Sequence, residues 1–220
     1  MGKIIISENV TLDGVIQDPA GDEGLRRGGW VGRIGDRGRE EAAKVALDEA
    51  LGTEAMLLGR RTYEFLAARW PSRTGALADR LNSKAKFVVS STLQHPAWNN
   101  TTVLRGDVVR EASRLKQHVT GDIVVAGSFQ LLQTLLDHDL VDELRLMIYP
   151  VYSGSASAFS PRPATRNPCA SSEPRPSRAT SPSLPTSLSA RLNGKKLWLL
   201  MGARGRLRPN KRLKLPGAHK

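Results

Sequence analysis

Three short runs in this chain carry the chemistry of phosphate binding. Gly59-Arg60-Arg61-Thr62 joins a glycine, which lets an anion approach the backbone, to two guanidinium forks and a hydroxyl. Ser90-Ser91 sets two hydroxyl donors side by side, and Gly127-Ser128 pairs a glycine with a hydroxyl again. Each run follows an apolar segment with strand character, at 55–58, 86–89 and 122–126. The first and third also open helical patterns, whose unpaired N–H groups and dipole favour an anion. Ligands of open α/β sheets sit beyond the carboxyl ends of the strands, where all three runs fall. Glycine and serine are also ordinary turn residues, so one such run alone reads as a plain turn. Three in one sheet point to a ligand with several phosphates, such as a dinucleotide.

Hydrophobic spacing shows which elements must hold these runs. Ile4, Ile5 and Ile6 begin a strand over 4–7, and Thr11-Leu12-Asp13-Gly14 makes a turn. Residues 18–39, rich in glycine and charge, read as a long loop. Ala43, Leu47, Ala50 and Leu51 fall at helical spacing over 40–51, with Gly52 just past the end. Further helices are expected over 62–68, near 75–82, from the N-cap Asp107 to about His118, and over 128–136. Strands are expected at 55–58, 86–89, 102–104, 122–126 and 144–151. Strands alternating with helices predict an α/β domain with a largely parallel sheet.

Composition divides the chain near Val151. The 220 residues carry a net charge of +12, yet residues 1–150 hold 19 Lys+Arg against 20 Asp+Glu, while 151–220 hold 14 against 1. Nine of the 13 prolines lie in the last 70 residues. The first part is therefore near neutral and has no electrostatic reason to bind nucleic acid. The Ser/Pro-rich stretch over 153–190 has too few large apolar groups to offset its ordering entropy and is expected to stay disordered. Leu197-Trp198-Leu199-Leu200-Met201 is a candidate strand or helical turn, and 204–220 is a basic tail. The expected organisation is an α/β domain over 1–151 and a disordered tail over 152–220. No run approaches the ~18 apolar residues of a membrane span, and Ile4-Ile5-Ile6 is too short for a signal peptide. The single cysteine, Cys169, excludes an internal disulfide and a multi-cysteine zinc site. No histidine pairs with a cysteine or a second histidine at ligand spacing, so no metal is expected. The expected setting is the cytoplasm.

Longer segments carry a resemblance. They are Ser7-Glu8-Asn9-Val10-Thr11-Leu12-Asp13-Gly14-Val15, Leu57-Leu58-Gly59-Arg60-Arg61-Thr62-Tyr63-Glu64, Trp70-Pro71, Lys86-Phe87-Val88-Val89-Ser90-Ser91-Thr92-Leu93, Gly121-Asp122-Ile123-Val124-Val125-Ala126-Gly127-Ser128 and Leu140-Val141-Asp142-Glu143-Leu144. In this order and spacing, from about Lys3 to Val151, the chain resembles the dihydrofolate reductase-like family. Within it, the chain is similar to single-domain proteins that match the reductase half of bifunctional riboflavin-biosynthesis deaminase-reductases. The resemblance implies a dihydrofolate-reductase-like, mostly parallel sheet flanked by helices. It also implies an NADPH-dependent reductase acting on a pterin-like or aminopyrimidine-like heterocycle, the family's own substrate being the phosphoribosylamino-uracil intermediate of riboflavin biosynthesis. By the family's pattern, Gly59, Arg60 and Thr62 hold phosphates of NADPH. Ser90 and Ser91 lie near the adenosine end and its 2′-phosphate. Gly127, Ser128, Phe129 and Gln130 close over the pyrophosphate, although many relatives carry a second small residue where this chain has Phe129. Leu12, Asp13 and Gly14 edge the nicotinamide and substrate pocket. Homodimers are common among the relatives.

Hydride transfer asks for no nucleophile, since the cofactor carries the chemistry, but it often needs a proton donor. Asp13 is the candidate, against the competing reading of a turn aspartate bonding its own backbone. Trp70 and Trp30 offer faces on which a planar substrate stacks, against the more ordinary role of core or loop anchors. His95, His118 and His138 read as solvated side chains. Arg26, Arg27, Arg33, Arg37 and Arg39 form the only basic cluster suited to a ribose phosphate, against a solvated loop. The deaminase half of the bifunctional enzymes needs a zinc site of His and Cys with a Glu partner, and that half is expected to be absent.

The relatives continue beyond the equivalent of Val151 with a Val-Leu-Gly-x-x-x-x-Leu-Phe pattern and two more strands. Here Tyr152-Ser153-Gly154-Ser155 follows, and the change of composition is compatible with a one-base shift of reading frame near Val151. The strand over 144–151 would then be an exposed apolar edge, an aggregation hazard unless residues 195–201 pair there. Two other readings follow from this tail. One is an NADPH-binding relic without catalysis. The other is a nucleic-acid-binding protein using basic residues such as Lys211, Arg212 and Lys214.

Overall fold

The alternating pattern closes into one sheet. The computed structural model describes residues 1–154 throughout, and the backbone of Ser187–Leu192 and Lys195–Met201. The strands are β1 (Lys3–Thr11), β2 (Thr53–Gly59), β3 (Ala85–Val89), β4 (Thr101–Leu104), β5 (Asp122–Ala126), β6 (Glu143–Tyr149), β7 (Ser187–Leu192) and β8 (Lys195–Met201). The helices are α1 (Gly35–Gly52), α2 (Arg60–Ala67), α3 (Ala76–Ser83), α4 (Val108–His118) and α5 (Phe129–Asp137). The sheet runs β4-β3-β2-β5-β1-β6-β8-β7. All pairings are parallel except β7 with β8.

A parallel sheet is covered on both faces, so its central strand reads as a continuous apolar run. Ile4, Ile5 and Ile6 in β1 are accordingly all fully buried. One face packs Ile4, Ile6, Leu57 and Val125 against Leu115 of α4 and Leu132 and Leu135 of α5. The other core gathers Met56, Leu58, Val88, Tyr63 and Trp98. Lys86 is fully buried in this second region. Its Nζ donates to the carbonyls of Asn82, Lys84 and Asn99 and lies 4.3 Å from the Trp98 ring centre.

Three elements differ from the sequence expectation. β1 runs on to Thr11 rather than ending near Ser7, because β6 supplies backbone partners from Ile5 to Thr11 whatever the polarity of Glu8 and Asn9. α1 begins at Gly35, and a 3-10 turn over Trp30–Ile34 precedes it, so the long loop is shorter than expected. Gly38 hid this start, since glycine is a weak helix former. Its place is steric: a Cβ there would lie 3.0 Å from the Ile34 side chain. The tail, expected to be disordered apart from a candidate strand or helical turn at 197–201, supplies two strands: β8, in the pairing expected of residues 195–201 on the β6 edge, and β7, which begins inside the stretch expected to be disordered. β8 pairs with β6 from Glu143–Lys196 to Ile148–Met201 and covers the edge that would otherwise lie open. The physical reason is the one that makes such an edge a hazard: unpaired N–H and C=O groups template a further strand. The stretch 155–186, the basic tail over 204–220 and the reading-frame hypothesis attached to them lie outside the described residues.

Candidate active site

β1, β2, β3 and β5 are parallel, so their carboxyl ends lie at one end of the sheet. A cleft of about 1070 Å³ opens there. The three phosphate-type runs converge on it. Gly59, Arg60 and Thr62 come from the β2–α2 junction, Ser90 and Ser91 from the end of β3, and Gly127, Ser128, Phe129 and Gln130 from the β5–α5 junction.

Two of these loops are stitched together. The Gly59 N–H donates to Ser128 Oγ at 2.9 Å. A Cβ on Gly59 would lie 3.3 Å from that Oγ, and a Cβ on Gly127 would lie 3.1 Å from Thr62 Cγ2. Gly127 has φ +59°, the left-handed region that glycine enters freely. Ser128 follows it with φ 67° and ψ 51°, a strained conformation for a residue with a side chain. Neither α2 nor α5 has a side-chain cap, so both begin at the cleft with N–H groups that no cap satisfies. Arg60 holds Glu64 at 3.1 Å across one helical turn. Ser90 is committed to its own loop, its Oγ accepting from the N–H groups of Thr92 and Leu93. Arg105 donates to the carbonyls of Ser91 and Leu93 and so brings a cation to the same loop.

The residues expected at the nicotinamide edge are elsewhere. Leu12, Asp13 and Gly14 do not line the cleft. Leu12 is exposed, and Gly14 closes the turn with its N–H on the Thr11 carbonyl. Asp13 accepts from Thr11 Oγ1 at 2.6 Å, from the Ser153 N–H at 3.0 Å and from the Gly154 N–H at 2.7 Å. Desolvation acts to raise its pKa, but these hydrogen bonds outweigh it and hold the carboxyl below the ordinary aspartate range. A carboxylate so held is a poor proton donor, and the turn reading replaces the catalytic one. Trp70 packs on the Met56–Leu58 core under the Arg73 guanidinium, and Trp30 is buried edge-on to Tyr149. Both are anchors. Arg26 and Arg27 line a separate cavity of about 360 Å³, where Arg27 donates to the Ser153 carbonyl. Arg37 and Arg39 pair with Glu41 and Asp36.

Glu8 lines the cleft and is 7 % exposed. Sequence reasoning passed over it as one residue of a longer segment. The available signal was a carboxylate interrupting the apolar run of a central strand, which is costly unless something compensates it. Among the described residues no cluster of His, Cys, Asp and Glu is suited to a metal ion. No helix there is long and apolar enough to cross a membrane.

The sequence profile of the RibD C-terminal domain matches residues 2–179. That match runs past Val151 into the segment that composition sets apart. YyaP, an uncharacterized protein of Bacillus subtilis (strain 168), is 27% identical over 157 residues, covering 69% of this chain and 77% of YyaP. The crystal structure of a provisionally assigned riboflavin biosynthesis protein from Shewanella sp. PV-4 superposes with a TM-score of 0.53 at 20% identity. That match covers 72% of this chain and 86% of the Shewanella chain, and the likeness is one of fold.

Proposed function

Because the chain belongs to the RibD C-terminal domain family, we propose that it is an NADPH-dependent reductase of a pterin-like or aminopyrimidine-like heterocycle. The observation that carries the reading is the convergence of the three phosphate-type loops on one cleft of about 1070 Å³. Ligand clefts commonly span about 300–1,000 Å³, and a dinucleotide beside a heterocycle needs the upper end of that range.

The residues fit such a group. Gly59 and Gly127 keep Cβ atoms out of the cradle, and the uncapped starts of α2 and α5 aim backbone N–H groups at it. Thr62 adds a hydroxyl. Arg60 exchanges its solvent-exposed Glu64 partner for a phosphate oxygen, an exchange that costs little because surface ion pairs contribute only about 0–1 kcal/mol. Ser91 and Arg105 suit a 2′-phosphate, which favours NADPH over NADH. Bound reduced nicotinamide supplies the hydride. The chain's own residues position the two partners and exclude water. The assignment of the Shewanella protein to riboflavin biosynthesis supports an aminopyrimidine as the first substrate to try.

The test is a fluorescence titration of the full-length chain with NADPH and NADH. Saturable NADPH binding that weakens in Arg60→Gln and exceeds NADH binding is expected. A folded chain that binds neither nucleotide overturns the reading. Oxidation of NADPH across a panel of pterins and aminopyrimidines then separates an active reductase from a binding relic.

A further inference from the structure

β1 brings to the wall of the cleft a carboxyl group outside the three phosphate-type runs. The last rung between β1 and β5 is Ser7–Ala126, after which β5 gives way to the Gly127 turn, while β6 accompanies β1 on to Thr11. Glu8 is thus the first residue of β1 past the end of β5. It is nine-tenths buried and lines the cleft. Its Oε1 is the only buried side-chain nitrogen or oxygen among the described residues without a hydrogen-bond partner.

The charged groups around it do not neutralise it. Arg145 on β6 is bound to Glu49, Asp122 and Glu143. Arg60 is paired with Glu64. The other charged residues lining the cleft are Asp18, Glu23 and Arg61, and Arg61 is exposed. Asp18 turns its carboxylate to the N–H groups of Glu23 and Leu25. An ionised Glu8 would be a buried charge without a counter-ion, whereas a protonated one holds an O–H donor in the wall of the cleft.

We propose, resting on the reductase reading, that Glu8 delivers the proton to the substrate heteroatom as hydride reaches the adjacent carbon. In that step the carbon of a C=N or C=O bond accepts the hydride. Its π electron pair moves to nitrogen or oxygen, and that atom takes the proton from the Glu8 carboxyl. The substrate gains one hydride and one proton, the nicotinamide is oxidised, and the Glu8 carboxylate recovers its proton from water. The acid is suited to this: burial pushes its pKa up to about 8, with the Glu49 charge adding to the rise and the Gly127 N–H opposing it. It is therefore mostly protonated at pH 7, with a pKa close to the working pH, as general acids require.

The test uses the full-length chain and two readouts. Infrared difference spectra should show a protonated carboxyl band that titrates near pH 8 in the natural chain and is missing in Glu8→Gln. Glu8→Gln should keep NADPH affinity within about threefold, yet lose about 10²-fold or more in turnover. The natural enzyme's fall in rate above about pH 8 should vanish with it. Glu8→Asp serves both readouts should Glu8→Gln fail to fold. A missing band, an unchanged pH profile, or loss of NADPH binding with turnover overturns the proton-donor role. Failure of the natural chain to bind NADPH overturns the reductase reading and this inference with it. Normal binding with an unaltered Glu8→Gln profile overturns this inference alone.

Discussion

Ser128 couples two loops of the cleft while holding a strained backbone, and the two effects can be separated by substitution. Its Oγ accepts the Gly59 N–H at 2.9 Å, and its φ of 67° and ψ of 51° are left-handed. Ser128→Ala removes the acceptor and keeps the strain. The lost hydrogen bond is worth about 0.5–1.5 kcal/mol net. Ser128→Gly removes the same acceptor but relieves a conformation that costs an L-residue roughly 1–2 kcal/mol. Against that relief stands the extra freedom of glycine in the unfolded chain, about 0.4–1 kcal/mol. Ser128→Gly is therefore expected within about 0.5 kcal/mol of the natural chain, and Ser128→Ala about 1 kcal/mol below it. Urea unfolding of the three full-length chains, followed by circular dichroism, resolves such a difference as a shift in midpoint at constant slope. Both variants untether Gly59, so NADPH affinity should fall about fivefold for each 1 kcal/mol of lost preorganisation. Alanine matching glycine in stability would show that the backbone strain is no larger than the freedom glycine adds to the unfolded chain, about 0.4–1 kcal/mol. Alanine matching serine would show that the link between the loops contributes nothing.

Asp13→Asn should lower stability by about 1–3 kcal/mol, the cost of leaving buried donors poorly matched, while the pH profile of turnover stays as it was. Because the folded Asp13 carboxyl has a lowered pKa, its contribution is fully present above the ordinary aspartate value of 3.8 and is lost as pH falls through the folded value. Urea melts of the natural chain and Asp13→Asn across acid pH should converge at the low end, and a gap that persists there counts against the turn role. Lys86 has the same sign of dependence in an alkaline window. Burial lowers its pKa from 10.5 to about 8, so between those values the unfolded chain holds a proton that the folded chain releases. Stability of the natural chain relative to Lys86→Met should rise with pH across that window. A flat difference would show that the three carbonyls around Nζ keep it charged.

How much of this was legible beforehand varies by element. The alternation of apolar runs and helical spacing located β2 to β6 and α2 to α5 closely, because each buries a face whose period is written locally. The loops after β2, β3 and β5 were legible for the same reason: glycine and hydroxyl residues stand where strands end. α1 was legible from residue 40 onward only, since the contact that requires Gly38 is with Ile34, in the turn before the helix. β1 was cut short at Glu8 because polarity normally marks the end of a buried strand, and the partner that prolongs it, β6, lies more than a hundred residues away in sequence.

From the residues alone came an α/β chain with three turns of glycine and hydroxyl residues at strand ends and a neutral first part unlike its basic tail. Those features depend on neighbours in sequence, and neighbours are what a sequence displays. Only the fold could decide that the three turns share one cleft, that Asp13 turns from it to bind the amides of Ser153 and Gly154, and that β8 covers the edge of β6. The fold likewise places Glu8, where β5 stops one residue short of it and its Oε1 is buried without a hydrogen-bond partner. Register between distant strands sets such meetings, and a shift of one residue would send Glu8 to the opposite face of the sheet.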